Sequence, residues 1–292
     1  MKGRCRVGNP LATVQWAARN EEIEELIHQG ESVTFHEMAQ GFEAEVKELR
    51  SANASFVWKV WNKQSKPRVD VQYHLLQILA ERGIAVSRPL GWGKDADCNP
   101  VLLTTFDGTS IRKANPKKVT ELAKLLSAIH RIGIGTEIDS FLPSYEFKSY
   151  FFAEADQYEP IDQALHAILP QAGLRRDAII HGDYHLNNIV ENGERLTVID
   201  WTNVQRGDAR YDFAWSLVLM RIYLSERNAA LFRSAYLEEN PMEREELEAF
   251  EALGILRWLF LMKRGGTFRK ADTIKRVKGL IQDNGWLDPS LL

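Results

Sequence analysis

The segment IIHGDYHLNNIVENGERLTVIDW, Ile179 to Trp201, constrains the fold most, because it is strand-like and polar within a half of the chain that otherwise repeats at helical spacing. Asn192-Gly193 separates two apolar-rich runs, and both residue types tolerate positive φ, so the sequence predicts a hairpin closed by a type I′ turn. Folding about that turn sets Asn188 roughly opposite Thr197, and brings Asn188 and Asp200 to the open end beside the loop His181 to Asn187. Asp183, Asn188 and Asp200 can then converge. Two carboxylates and an amide oxygen are hard ligands that suit Mg²⁺ holding nucleotide phosphates, with one carboxylate free to accept an alcohol proton.

The N-terminal third has a different character. Short strand-like runs from Phe35 to Val60 are broken by Gln40-Gly41 and Ser51-Ala52-Asn53 and lead into FVWKVW, Phe56 to Trp61, which suggests a small antiparallel sheet. Inside that last run Lys59 is a single ammonium among apolar neighbours and needs an anion, for which a nucleotide phosphate is suitable. One helix follows, with Gln72, Leu75, Leu76 and Leu79 on a common face and Gly83 at its end, and VSRPLGWG and NPVLLTTFDG then supply two further strands. Beyond Gly108 the chain turns helical. Asn115 can cap a helix opening at Pro116, with Val119, Leu122, Leu126 and Ile129 at helical spacing, and 145–168, 211–239 and 242–264 carry the same periodicity, with Pro241 at the start of the last. The division is therefore residues 1–104, a joining segment 105–115, and 116–292.

With 292 residues, a net charge of -3 and 45% hydrophobic residues, the chain can bury a sizeable core and lacks the global basic field of a nucleic-acid binder. Only Cys5 and Cys98 are cysteines, too few for a disulfide framework, which favours a reducing compartment. No signal-peptide core follows the basic start, and the longest apolar stretches, such as Trp258 to Met262, fall well short of the roughly 20 residues of a membrane span, so a soluble, cytoplasmic protein without membrane or nucleic-acid partners is expected.

His181-Gly182-Asp183 with Asn188 five residues after the Asp, followed by Ile199-Asp200-Trp201, resembles the catalytic signature of the aminoglycoside phosphotransferase family, relatives of protein kinases. Gly207 to Ala214 is similar to the segment after that family's metal-binding Asp, and LAKLLSAIH, Leu122 to His130, resembles its first large helix; the match runs in order over roughly 35 to 264. The resemblance implies an α+β, two-lobed protein-kinase-like fold, a small antiparallel sheet lobe and a larger helical lobe. It also implies Mg²⁺-dependent transfer of the γ-phosphate of ATP or GTP to a hydroxyl of a small acceptor. On this resemblance Asp183 is the catalytic base or orienter, Asn188 and Asp200 bind Mg²⁺, and Lys59 holds the α- and β-phosphates. Thr104 and Phe106 in VLLTTFDG take the adenine-bonding hinge positions, and His185 supports the transferring phosphate.

Two departures stand out. Gln72 occupies the place of the Glu that normally pairs with the lysine, Asp70 being offset to another side of the helix, and the loop near Gln40-Gly41-Phe42 carries one glycine where phosphate-covering loops carry more. Other conspicuous residues have structural readings: His181 as a loop histidine bonded to backbone, His130 as a satisfied core histidine, Asp208 and Asp212 as a cap and brace for the helix that follows. The acidic run Glu154, Asp156, Glu159, Asp162 reads as a solvated helix face, and Trp201, Tyr211, Trp215 and Trp258 as core before an aromatic box. Aminoglycosides and other antibiotics, amino alcohols such as choline, homoserine and sugars all stay open as acceptors. The competing functions are a metal-dependent hydrolase built on His181, Asp183, His185, Asp200 and Asp208, which leaves Lys59 and Asn188 without a role, and a non-catalytic nucleotide-binding relative.

Overall fold

The computed structural model describes residues 9–38, 44–62, 65, 67–266 and 272–292; Cys5 and the Gln40-Gly41-Phe42 loop lie outside the described residues. Along the chain run β1 (Gln15–Arg19), α1 (Glu21–His28), β2 (Thr34–Glu37), β3 (Ala44–Arg50), β4 (Ser55–Trp61), α2 (Val69–Glu81), β5 (Pro89–Lys94), β6 (Pro100–Thr105) and β7 (Thr109–Ser110). There follow α3 (Pro116–His130), α4 (Thr136–Asp139), α5 (Phe147–Phe151), α6 (Glu159–Ala172), β8 (Ala178–Ile180), β9 (Ile189–Asn192), β10 (Arg195–Val198) and β11 (Gln205–Gly207). The chain closes with α7 (Ala209–Tyr223), α8 (Glu226–Glu239), α9 (Arg244–Lys263) and α10 (Thr273–Gln282). Two compact units result, one of Met1–Thr109 with Val190–Thr202, the other of Ser110–Ile189 with Asn203–Leu292.

The first unit is built on a six-stranded sheet in the order β1-β5-β6-β4-β3-β2, antiparallel throughout. Trp61, Val69, Tyr73 and Leu102 pack α2 onto it. β1 and α1 were not legible as elements, so the unit holds two helices where one was expected. Asn20 Oδ1 caps α1 by accepting the Ile23 N–H, and Ile23 and Leu26 are its only fully buried positions, a face too narrow to stand out in an otherwise acidic run. Strand β4 lies inside the sheet, with Lys59 opposite Val46 on β3 and Leu102 on β6, so an edge-strand position for that lysine is ruled out. The hairpin β9–β10 belongs to this unit, joined to it by the Val198 N–H donating to Ala85 O at 2.8 Å. Its turn differs from the sequence expectation. Asn192 ends β9, and among Asn192, Gly193 and Glu194 only Gly193 has positive φ, 62°, so the two-residue loop is not type I′; Gly at its first position is the pattern of type II′.

The second unit is helical around α7 and α9, whose apolar residues are buried on all sides: Tyr211 to Met220 are buried without a break, as are Ala252 to Phe260. The expected long helices are divided. The 211–239 stretch breaks at Leu224-Ser225, where the Ser225 hydroxyl caps α8 by accepting the Asn228 N–H at 3.2 Å. The 145–168 stretch becomes α5 and α6 around Glu154, which lies in the left-handed region at φ 67°. α9 opens at Arg244 rather than at Pro241. Asn115 does cap α3, accepting the Lys118 N–H at 2.9 Å.

Asp212, fully buried in the first turn of α7, fixes the loop that leaves β8. Its carboxylate accepts the main-chain N–H of His181 at 2.7 Å and of Gly182 at 2.9 Å. It also accepts His130 Nε2–H at 3.1 Å, and the other ring nitrogen of His130 accepts the Tyr236 hydroxyl at 2.6 Å. Burial opposes the charge on Asp212, but the His130 hydrogen bond, with charge and main-chain donors at His181, outweighs it and holds the carboxyl below the usual carboxylate range. Asp208 caps α7 through the Arg210 N–H at 3.0 Å, as expected of it. For Asp212 the expectation was too local, since it braces the β8 loop more than its own helix.

Two outcomes are expected. Ser225→Ala should lower unfolding free energy by about 1 kcal/mol in urea titration without changing the slope of the transition. Asp212→Asn leaves loop donors unpaired and should cost about 2–4 kcal/mol. Because the folded carboxyl binds protons less tightly than the unfolded one, its stabilisation is present above the unfolded pKa of about 4 and lost as pH falls below it, so the variant should show a shallower loss of stability on acidification than the wild type.

Candidate functional site

The sequence-predicted residues gather in two groups, one in each unit. In the helical unit the loop His181–Asn187 follows the buried strand β8. Gly182 has φ 77° and a Cβ there would stand 2.7 Å from Asn203 O, so a side chain is excluded where the loop turns. Ser216 Oγ donates to Tyr184 O at 2.8 Å and the Tyr184 hydroxyl donates to Leu122 O at 2.9 Å, tying Tyr184 to α7 and α3.

Asp183 projects from this loop. Its Oδ1 accepts Trp215 Nε1–H at 2.9 Å and lies 3.9 Å from an Arg257 nitrogen, and its Oδ2 lies 3.3 Å from His185 Nε2. His185 Nδ1 accepts the Asn187 N–H at 3.2 Å, which leaves the proton of a neutral ring on Nε2, facing Asp183. Burial alone would favour protonated Asp183, but His185, Arg257 and Trp215 together hold its carboxyl far below the usual range. Asn188 completes the group, donating Nδ2–H to Asp183 O at 2.9 Å, which leaves its oxygen as the atom that could serve a metal.

In the sheet unit Lys59 and Asp200 meet, Nζ to Oδ1 at 3.7 Å. Asp200 follows β10 in the left-handed region at φ 63°, a strained setting for a residue with a side chain, and its Oδ1 also accepts the Thr202 hydroxyl at 2.9 Å. Gln72 is only 3% exposed, and its Nε2 has no hydrogen-bond partner among the described residues. It makes no bond to Lys59, whose partner is Asp200; Asp70 pairs with Arg68 at 2.9 Å. Thr104 is buried near the end of β6. Phe106 departs from the hinge expectation, since its N–H donates to Ser55 O at 3.2 Å and extends the ladder with β4 rather than standing ready for an adenine.

Other readings resolve as follows. His181 is fully buried and its Nδ1 accepts the Asp183 N–H at 3.3 Å. Asp208 is engaged by Arg210 at 2.6 Å and by the Arg175 N–H at 2.8 Å. Two ligands of the hydrolase scheme are thus committed elsewhere, and no cluster of three or more His, Cys, Asp or Glu suited to a metal occurs among the described residues. Asp162 pairs with Lys148 at 2.7 Å and Glu154 with Arg264 at 3.4 Å. Trp201, Tyr211, Trp215 and Trp258 are all core residues, between 0% and 3% exposed. No helix among the described residues is long and apolar enough to cross a membrane.

Sequence reasoning missed Arg257, whose guanidinium is buried, 2.7 Å from Gly182 O, and lies over the Trp215 and Phe151 rings at 4.3 and 4.5 Å. The signal was present: a lone cation in the apolar run Leu253 to Met262 poses the same question as Lys59 in FVWKVW. For the Trp215 indole N–H no local signature exists.

Known proteins resemble this chain in sequence and in fold. A homoserine kinase of Azorhizobium caulinodans is 24% identical over 249 residues, 77% of each chain. Among solved structures, a choline kinase of Streptococcus pneumoniae superposes with a TM-score of 0.60 at 16% identity, covering 90% of this chain and 95% of that one. A thermostable mutant of the aminoglycoside phosphotransferase APH(4)-Ia, in ternary complex with ADP and hygromycin B, gives 0.66 at 15% identity over 90% and 98%. These likenesses support the α+β, kinase-like fold expected from sequence. The model of the phosphotransferase enzyme family matches residues 34–250, and the chain belongs to that family.

Proposed function

We propose that this protein is a small-molecule kinase that moves the γ-phosphate of ATP or GTP to an alcohol hydroxyl with Mg²⁺. The observation that carries the reading is the Lys59–Asp200 pair, which joins the cation expected at nucleotide phosphates to a carboxylate expected at the metal. The donor set fits Mg²⁺: Asn188 and Asp200 offer oxygen atoms, the amide oxygen being defined by the commitment of Nδ2 to Asp183 O. Held by these residues, Mg²⁺ would supply charge neutralisation at the phosphates.

The protein's own groups do the rest. Lys59, held among apolar neighbours in an interior strand, places a positive charge for the α- and β-phosphates. Asp183, kept ionised by its neighbours, accepts the hydrogen bond of the acceptor hydroxyl and aims its oxygen for in-line attack. A carboxylate of such low proton affinity orients the nucleophile better than it stores its proton, which suits a loose transition state that asks little of a base. His185, sharing Oδ2 of Asp183, adds a donor beside the reacting groups. The adenine contact falls to the chain following β6, with Thr104 in its last turn of strand and Phe106 requiring a local exchange of its N–H from Ser55 O. The acceptor is a small hydroxyl compound; antibiotics, amino alcohols, homoserine and sugars form the panel to be assayed.

Purified protein with Mg²⁺ and ATP or GTP should consume nucleotide in the presence of one acceptor class. Asp183→Ala should lower kcat by about 10²–10⁴-fold with nucleotide affinity unchanged, whereas Asp200→Ala should also weaken Mg²⁺-nucleotide binding, read by calorimetry. Full activity in Asp183→Ala protein would discard the mechanism.

A further inference from the structure

Arg257 sits where a structural side chain would serve more cheaply. A buried guanidinium loses its hydration, a cost that a close carboxylate ordinarily offsets. Here the nearest carboxylate oxygen, of Asp183, is 3.9 Å away. The close polar contact is instead the Gly182 carbonyl at 2.7 Å, with the Tyr211 hydroxyl farther off at 3.4 Å. The planar group lies against two rings, 4.3 Å from the centre of Trp215 and 4.5 Å from that of Phe151. Trp215 in turn gives its indole N–H to Oδ1 of Asp183. One guanidinium from α9 therefore touches both the peptide that precedes Asp183 and the ring that bonds its carboxylate.

We propose that Arg257 is a positioning residue for phosphoryl transfer, holding the Gly182 carbonyl and the Trp215 ring together so that the Asp183 carboxylate meets the acceptor hydroxyl in a single orientation. The assignment rests on the kinase reading of Asp183. Trp215 is the intermediary: its ring takes its setting from the guanidinium and its N–H fixes Oδ1, leaving the carboxylate one rotational state. Lysine cannot replace Arg257, because an ammonium lacks the flat face that lies against the two rings while one nitrogen donates to the carbonyl. The effect belongs to kcat, because Arg257 and Trp215 act on the orientation of Asp183.

The test compares Arg257→Met, Arg257→Lys and Trp215→Phe with the wild type, using an acceptor the wild type phosphorylates. Arg257→Met and Arg257→Lys should each lower kcat about 10–100-fold with the KM values for nucleotide and acceptor within about twofold, the conservative change giving no rescue. Trp215→Phe, which keeps the ring and removes the N–H, should lower kcat about tenfold in the same manner. A kcat within twofold of wild type in Arg257→Met, or full rescue by lysine, overturns the proposal. If Arg257→Met does not fold, Trp215→Phe and Arg257→Lys decide. If the wild type transfers phosphate to no acceptor, the kinase reading fails by itself, and the clamp is judged from crystal structures of Arg257→Lys and Trp215→Phe: a rotated Asp183 carboxylate supports it, and an unmoved one refutes it.

Discussion

The hydrogen bonds that Asp212 accepts from His181 and Gly182 are the interaction on which the loop of the helical unit depends. A loop leaving a short buried strand has main-chain donors with no ladder to enter, and orphaned donors in such a place are costly. One carboxylate answers two of them, and a histidine–tyrosine pair from α3 and α8 holds that carboxylate in place. The turn at Gly182 then delivers Asp183 outward with Trp215, Arg257 and His185 around it. Four helices, α3, α7, α8 and α9, thus fix a loop that contains no regular structure until Leu186.

Two lone cations in apolar runs follow one physical rule and reach different solutions. Lys59 obtains a carboxylate at 3.7 Å in its own unit, which is the arrangement of a charge that can exchange its partner for a stronger anion. Arg257 obtains a carbonyl and two aromatic faces, partners that do not exchange, and it is correspondingly suited to holding geometry. An ammonium facing one carboxylate is open to exchange, whereas a guanidinium stacked between rings is not.

Much of this was legible in the sequence where local pattern and chemistry coincide. FVWKVW read as a strand and became β4, the Asn115–Pro116 start read as a cap and is one, and the spacing of Asp183, Asn188 and Asp200 marked the loop and hairpin. The misses have physical reasons. α1 exposes most of its surface and so lacks a broad apolar stripe, and the break at Ser225 is a single cap inside continuous periodicity. The partner of Lys59 was sought on the neighbouring helix at Gln72, whereas the chain supplies Asp200 through a long-range contact that no local window contains. Trp215 and Arg257 approach Asp183 only because α7 and α9 pack face to face, which periodicity alone does not reveal.

The sheet unit is discontinuous, its closing piece being Val190–Thr202. During synthesis the strands from Gln15 to Thr105 leave the ribosome well before that piece exists. For that interval Lys59 lacks Asp200, and the ammonium reaches its native setting only when Asp200 has been translated. Order of assembly, and not just final geometry, is therefore written into this chain: the Lys59–Asp200 pair is a late event of biogenesis, and a nascent fragment ending within the helices before the hairpin would carry the lysine without its mate.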